Sequence, residues 1–463
     1  MDLDPVLLAR LQFAFSISFH ILFPAFTIGL AAWLVVLEAI WLKSGSALHG
    51  DLSRFWTRIF AVSFGMGVVS GVVMSFQFGT NWSELSSRAG NVLGPLLHYE
   101  VLTAFFLEAS FLGILLFGRD RVPRGVHFGA ACAVAAGTLI SAFWILAANS
   151  WMQTPAGYEL REGTFHVVSW SQVVFNPSFP YRFAHMVTAA FLTTAFVVAG
   201  VSAWHLLQAR AVPHARIGVS MALGLITVLA PAQLVLGDLH GLNTFAHQPA
   251  KVAAIEGHWE TRAGAPFVLF ALPDQDAATN RYEIAIPKLG SLILTHALDG
   301  TVRGLEEWPP EDRPYVPIVF WSFRLMVGVG LLMIALAALS LWLRRAGRIY
   351  HTRWFLKLCV AMSPVGFVAL LAGWVTTEVG RQPWVVYGLL RTAEAATPAV
   401  TAGAVATSLA AFVIVYGMIF PAGMLYMLRL VRAGPLPPAR GEPPSAAATP
   451  MRPLSAVDLG PAE

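Results

Sequence analysis

The chain has 463 residues, of which 56% are hydrophobic and only 12% charged, with a mean hydropathy of +0.64. Soluble globular chains carry roughly a quarter charged residues, so these proportions exclude a soluble globular protein and indicate one that lives in a membrane. The net charge of +4 is a matter of topology rather than of nucleic-acid binding, because of where the Lys and Arg residues fall.

Nine mostly apolar runs of about 18 residues or more, the length needed to cross a bilayer, lie near 14–42, 53–80, 95–117, 126–148, 182–206, 216–236, 316–343, 355–377 and 404–430. The expected fold is therefore all-α, a polytopic membrane protein of about nine transmembrane helices. The first run is too long for a signal-peptide core and no small-residue cleavage site follows it, so it reads as a retained span. Cys132 and Cys359 fall in different runs without a CxxC or CxxCH pattern, and read as small core residues.

Basic residues alternate between the two sides. Lys43, Arg54 and Arg58, then Arg119, Arg121 and Arg124, then Arg210 and Arg216, then Arg344, Arg345, Arg348, Arg353 and Lys357, and finally Arg429 and Arg432 fall on one side. The opposite side has mainly Arg88, Arg161, Arg381 and Arg391. By the positive-inside rule the richer side is cytoplasmic, which puts the N-terminus in the periplasm and the C-terminus in the cytoplasm. On this plan residues 1–433 form one transmembrane domain, 238–315 a periplasmic loop within it, and 434–463, rich in Pro and Ala, a disordered cytoplasmic tail. No internal repeat supports the inverted-repeat plan of many transporters.

Ionisable groups inside a span cost about 2.5–3.5 kcal/mol at its centre and are candidates for function. His20 lies in span one, Glu100 and Glu108 in span three, His185 in span five, Arg324 and Met326 in span seven, and Glu378 at the end of span eight. Spans one, three, five and seven run inward, so His20, Glu100, His185, Arg324 and Met326, all within the first two turns or so, should lie toward the outer face, and Glu378 lies near the end of span eight, which runs outward. Five helices thus carry ligand-capable residues at one depth, which argues for a shared buried site. Taken singly, a His at a helix end is more often a hydrogen-bonded core residue, and a Met on an apolar face is nearly always packing. Glu100 and Glu108, about 12 Å apart along a helix, could equally bond to neighbouring helices. Histidines, a methionine and a buried carboxylate can ligate haem iron or a transition metal, and arginines can pair with haem propionates. At GWVTTEVGRQPW (373–384), Pro383 disfavours helix at the residue before it. The span should therefore end near Gly380, with Glu378 in its last turn between Trp374 and Arg381. A plain Glu378–Arg381 ion pair is the alternative there.

Together with WSFRLMVG and with QPAKVAAIEGHWET in the outer loop, this segment resembles subunit I, the large haem-bearing subunit, of cytochrome bd-type quinol oxidases. The resemblance runs from His20 through the ninth span and fits a short-loop type. It implies His185 and Met326 as axial ligands of a low-spin haem b, and His20 and Glu378 as the protein ligands of two high-spin haems. One of these is b-type and the other d-type or a further haem b, with the assignment between the two positions open. It also implies that Glu100 stands beside the high-spin pair, that Glu108 lies on a proton pathway, and that Arg324, Trp374 and Arg381 stand near the haems. Lys251 and Glu256 match the family's quinol-site pair, although a Lys and a Glu five apart in an outer loop are otherwise usually solvated. The implied activity is quinol oxidation at the periplasmic face and reduction of O2 to water with cytoplasmic protons, charging the bacterial inner membrane without a pump. The implied partners are a second polytopic subunit, subunit II, and a small single-helix subunit. Small-residue faces such as GMGVVSG in span two would suit contact with another bundle. Rival classes are a haem-copper oxidase, which needs about six helix-borne histidines where most of the 13 here fall in loops or at helix ends, a cofactor-free proton or cation transporter, and an electron-carrying membrane cytochrome b.

Overall fold

The computed structural model describes residues 4–435; the expected tail from 434 lies, beyond Pro435, outside the described residues. Among the described residues nine helical spans are long and apolar enough to cross a membrane, and each apolar run lies largely or wholly inside one of them. They are α1 (Pro5–Ser44), α2 (Ala47–Thr80), α3 (Ser83–Phe117), α4 (Arg124–Gln153), α5 (Phe179–Leu207) and α6 (Val212–His247), followed after an ordered segment by three more. That segment holds a short helix, α7 (Pro249–Glu256), and a hairpin of β1 (Phe267–Asp274) and β2 (Thr279–Ile286). The last spans are α8 (Val316–Arg345), the pair α9 (Arg353–Ala361) and α10 (Val365–Val379), and α11 (Ala402–Ala433).

The helices outrun the apolar runs. α1 starts at Pro5, where the Asp4 carboxylate accepts from the Val6 N–H at 2.9 Å and proline suits the first turn. It ends where Gly45 turns left-handed at φ 66°. Its 40 residues span about 60 Å, twice the hydrocarbon thickness. A helix closes its own hydrogen bonds whether lipid or water surrounds it, so the ladder need not stop where the apolar run stops. This corrects one expectation. His20 and Glu100 lie roughly 22–26 Å below the starts of α1 and α3, not in the first two turns of the helices themselves.

Two spans are interrupted. A π turn at Val101–Phe105 divides α3 between Glu100 and Glu108, a feature that frequently marks functional positions. The eighth span breaks at Met362–Pro364, where Pro364 has no N–H to continue the ladder. α5 is central, packed against α1, α4, α6, α9 and α10. The largest apolar core, including Leu30, Trp56, Phe60, Phe196, Leu223 and Phe355, fills the half of the bundle away from residues 248–315. At that end Arg119 and Arg124 stack on Trp41 and Arg210 donates to the Arg432 carbonyl at 3.0 Å. Basic residues from separate loops therefore share one end, while the polar side chains discussed next gather toward the other.

Candidate functional site

Glu378 stands in the last turn of α10, which stops at Val379 as the sequence led one to expect. Its Oε1 accepts from Asn149 Nδ2 at 2.9 Å and from Gln153 Nε2 at 3.3 Å, both from the end of α4. Its Oε2 faces Arg381 Nη2 at 2.5 Å, so the ion-pair alternative exists in the structure. The pair does not use up the arginine. Arg381 is only 6% exposed, and its Nε and Nη1 are buried without a partner. Buried guanidinium donors are costly unless something accepts from them, and a second anion such as a propionate is what these two would take.

His185 lies two turns into α5. Gln233 of α6 offers its Nε2 to the ring Nε2 and to the His185 carbonyl, each at 3.2 Å, while the ring Nδ1 is buried without a partner. The His240 ring lies 5.6 Å away, its Nε2 likewise buried and unpaired. Arg182, one turn before His185, is buried and donates to Ser178 Oγ at 3.2 Å. In α1, His20 Nδ1 lies 3.0 Å from Ser70 Oγ, whose own hydrogen is directed to the Met66 or Gly67 carbonyl. Ser70 therefore accepts from the Nδ1–H, which leaves the Nε2 lone pair free, the arrangement a ligating histidine uses.

Each of the three neutral donors meets a glycine on a neighbouring helix. A Cβ at Gly71 would lie 3.1 Å from His20 Cε1, one at Gly237 3.3 Å from His185 Cε1, and one at Gly373 2.6 Å from Met326 Sδ. Space beside each donor is thus kept by the absence of a methyl group. Among the described residues no three His, Cys, Asp or Glu side chains gather into a metal site. Single donors on separate helices do not suit an ion held by protein alone. They fit an iron that brings four equatorial nitrogens of its own, so the residues present fit haem.

Glu100 accepts from Ser141 Oγ at 2.8 Å. Glu108, 7% exposed, has a buried Oε1 without a partner and packs on Gly137 so closely that a Cβ there would lie 2.5 Å from its Cγ. Arg324 does not point at open space. Its Nε donates to the Val268 carbonyl at 3.0 Å, its Nη1 to that of Ile255, and it lies 3.5 Å over the Phe320 ring and 3.6 Å from Glu256 Oε2. It ties α8, two residues before Met326, to the segment that carries α7. Trp374 is half-buried on α10.

Lys251 and Glu256 are buried, at 2% and 5% exposure, rather than solvated. Five residues apart, they lie about 140° apart around α7 and face different partners. Lys251 Nζ donates to Gln153 Oε1 at 2.6 Å and Gln248 Oε1 at 2.7 Å, whereas Glu256 faces Arg324. Burial, together with the positive charges of Arg182 and Arg381, holds the Lys251 ammonium well below the ordinary lysine range despite the opposing pull of Glu378. Burial raises the Glu256 carboxyl above its ordinary value, and Arg324 offsets part of that. Beside α7 a cavity of about 180 Å³ is bounded by Ala250, Trp308, Asp312, Gly380, Trp384 and Tyr387.

Asn149, Gln153, Arg182, Gln233 and His240 were not singled out in the sequence. Asn149, Gln153 and His240 sit just beyond the apolar runs that define spans four and six, on turns by which α4 and α6 continue past them. The signal was present as polar residues at helical spacing from the run ends.

Nine spans among the described residues, with candidate iron donors on separate helices and a buried polar segment at one end, fit a membrane haem protein, and the comparisons with known proteins give the family. Residues 8–435 match the family model for cytochrome bd terminal oxidase subunit I. The chain is 36% identical over 445 residues to cytochrome bd ubiquinol oxidase subunit 1 of Bacillus subtilis (strain 168), covering 93% of this chain and 94% of that one. It is 34% identical over 502 residues to cytochrome bd-II ubiquinol oxidase subunit 1 of Escherichia coli (strain K12), covering 93% and 97%. The fold matches the bd oxidase structure from Geobacillus thermodenitrificans with a TM-score of 0.86 at 32% identity, covering 93% of this chain and 99% of that one. The chain belongs to the cytochrome bd terminal oxidase subunit I family. It is accordingly the haem-bearing catalytic subunit of a quinol:oxygen oxidoreductase, a multi-pass protein of the bacterial inner membrane. The haem-copper, transporter and electron-carrier alternatives fall away.

Proposed function

We propose that quinol is oxidised at the end of the bundle that carries α7, that this end faces the periplasm, and that protons for oxygen reduction enter from the Arg-rich end. The single observation that carries this assignment is the burial of Lys251 and Glu256 on one short helix, with Lys251 bonded to Gln153, which itself donates to Glu378, and Glu256 facing Arg324 of α8, two residues before Met326. His185 and Met326 would hold a low-spin haem b. His20 and Glu378 would each hold a high-spin haem, one of them b-type and the other haem d or a further haem b. Arg381, with two orphaned donors, would take a propionate. When bound, the haems supply electron transfer and the iron at which oxygen is reduced.

The chain's own residues account for the protons. Glu256, raised by burial above the ordinary carboxyl value, is placed to accept a quinol hydroxyl proton, since a base works best near the operating pH. The Lys251 amine is placed to orient a quinol oxygen, and the protons leave on that side. Glu108 and Glu100, one on each side of the π turn in α3, hold protons on the way from the opposite end. Water formation then consumes protons that have crossed most of the bilayer, which separates charge without a pump.

The exposed apolar side chains Leu102 and Phe106 of α3 and Val72 and Phe76 of α2 support lipid and a second polytopic subunit as neighbours, with a small single-helix subunit beside them. The Escherichia coli alignment is longer at the same share of this chain, so that relative has residues with no counterpart here. A reduced-minus-oxidised optical spectrum with pigment extraction of the purified complex tests the assignment. Three haems with one low-spin centre are expected, and a colourless complex rejects it.

A further inference from the structure

The polar groups at the loop end converge on one side chain, Gln153, the last residue of α4 and 0% exposed. Its Oε1 accepts from Lys251 Nζ at 2.6 Å and from Gln248 Nε2 at 3.0 Å, and its backbone oxygen accepts from that same Gln248 amide at 2.9 Å. Its Nε2 donates to Glu378 Oε1 at 3.3 Å. The orientation of this amide is dictated from both ends. An amine that donates requires the oxygen on one side, a carboxylate requires the NH2 on the other, and a flipped amide would satisfy neither.

The neighbours divide cleanly. Asn149 donates to Glu378 at 2.9 Å and has no bond to α7 or Gln248. Gln248 bonds Lys251 and Gln153 and has none to Glu378. Only Gln153 bonds both. The aliphatic stem of Lys251 also lies against Gly380, just past the end of α10, where a Cβ would come within 2.8 Å of Lys251 Cγ.

We propose that Gln153 is a positioning residue that couples the quinol segment to Glu378. When quinol or quinone engages Lys251, the Gln153 oxygen loses or weakens its strongest donor, the amide relaxes, and one of the donors that orient the Glu378 carboxylate moves with it. The state of the quinol segment is thereby felt at the Glu378 iron through hydrogen bonds alone. This rests on the assignment of residues 248–256 to quinol and of Glu378 to iron.

The test uses the whole membrane complex and two readouts, quinol kinetics and the carbon monoxide difference spectrum of the reduced high-spin centres. Gln153→Asn keeps the amide but is one methylene too short to span both partners. It should raise the quinol KM about tenfold, as loss of a buried charged hydrogen bond does, and shift the carbon monoxide spectrum in the same variant. Asn149→Ala, which removes a donor to Glu378 without touching Lys251 or Gln153, should shift the spectrum alone. In the wild-type complex, saturation with a short-chain quinol in excess of its quinone should itself shift the carbon monoxide spectrum, and in Gln153→Asn it should not. A Gln153→Asn complex with altered KM and a wild-type spectrum overturns the coupling, as does a wild-type spectrum indifferent to the quinol. If Gln153→Asn does not assemble, the wild-type titration decides. A Glu378→Ala complex with an unchanged high-spin spectrum overturns the ligand assignment itself, and so separates that failure from failure of the coupling.

Discussion

Replacing Gly373 by alanine puts a methyl carbon 2.6 Å from the sulfur of Met326, where ordinary contact begins at 3.4 Å. The sulfur must retreat by about 0.8 Å or the side chain must change rotamer, at a cost of roughly 0.5–1.5 kcal/mol. Alanine within a helix recovers about 0.5–1 kcal/mol of backbone entropy relative to glycine, so the two terms nearly cancel. Stability should change by less than about 1 kcal/mol, yet the thioether is displaced from the position in which it would, with His185, hold the proposed low-spin haem. The assay pairs thermal unfolding of the purified complex with its reduced-minus-oxidised spectrum. The expected result is a nearly unchanged melting temperature together with loss or displacement of the low-spin band. Gly224→Ala in α6, whose added Cβ would meet nothing within 4 Å, is the control and should alter neither. A normal low-spin band in Gly373→Ala refutes the placement of Met326 as an axial ligand held against that glycine.

Met326→Leu removes the thioether with little change in volume. It should abolish the low-spin signal while leaving carbon monoxide binding at the other irons, and an unchanged low-spin spectrum rules the ligand out. Glu108→Gln should slow oxygen reduction about a hundredfold, the usual scale for loss of a proton-transfer group, without reducing haem content; full turnover defeats the proton-path role. Arg324→Gln bears on pH. The guanidinium lowers the Glu256 carboxyl against the upward effect of burial, so its removal raises that carboxyl further and keeps the base protonated up to a higher pH. The acid limb of kcat/KM for quinol should therefore move to higher pH, and an unmoved limb refutes Glu256 as the proton acceptor.

The nine spans among the described residues were legible in the amino-acid order, because hydrophobic length is a local property that each segment carries alone; the candidate iron donors stood out there only as single polar or sulfur-bearing residues within apolar runs. The stop before Gln382–Pro383 was legible for the same reason. The true ends of α4 and α6 were not, since a helix continues into water at little cost and an apolar run marks only where lipid begins. Lys251 shows the remaining gap. In sequence it is one lysine in an outer loop, and its burial depends on α7 meeting the ends of α4 and α10; the orphaned donors of Arg381 and the glycines beside His20, His185 and Met326 likewise depend on how separate helices pack. Those are contacts between segments far apart in the chain. Only the tertiary packing decides them, because the desolvation that makes such groups reactive is a property of everything around them and not of the residues themselves.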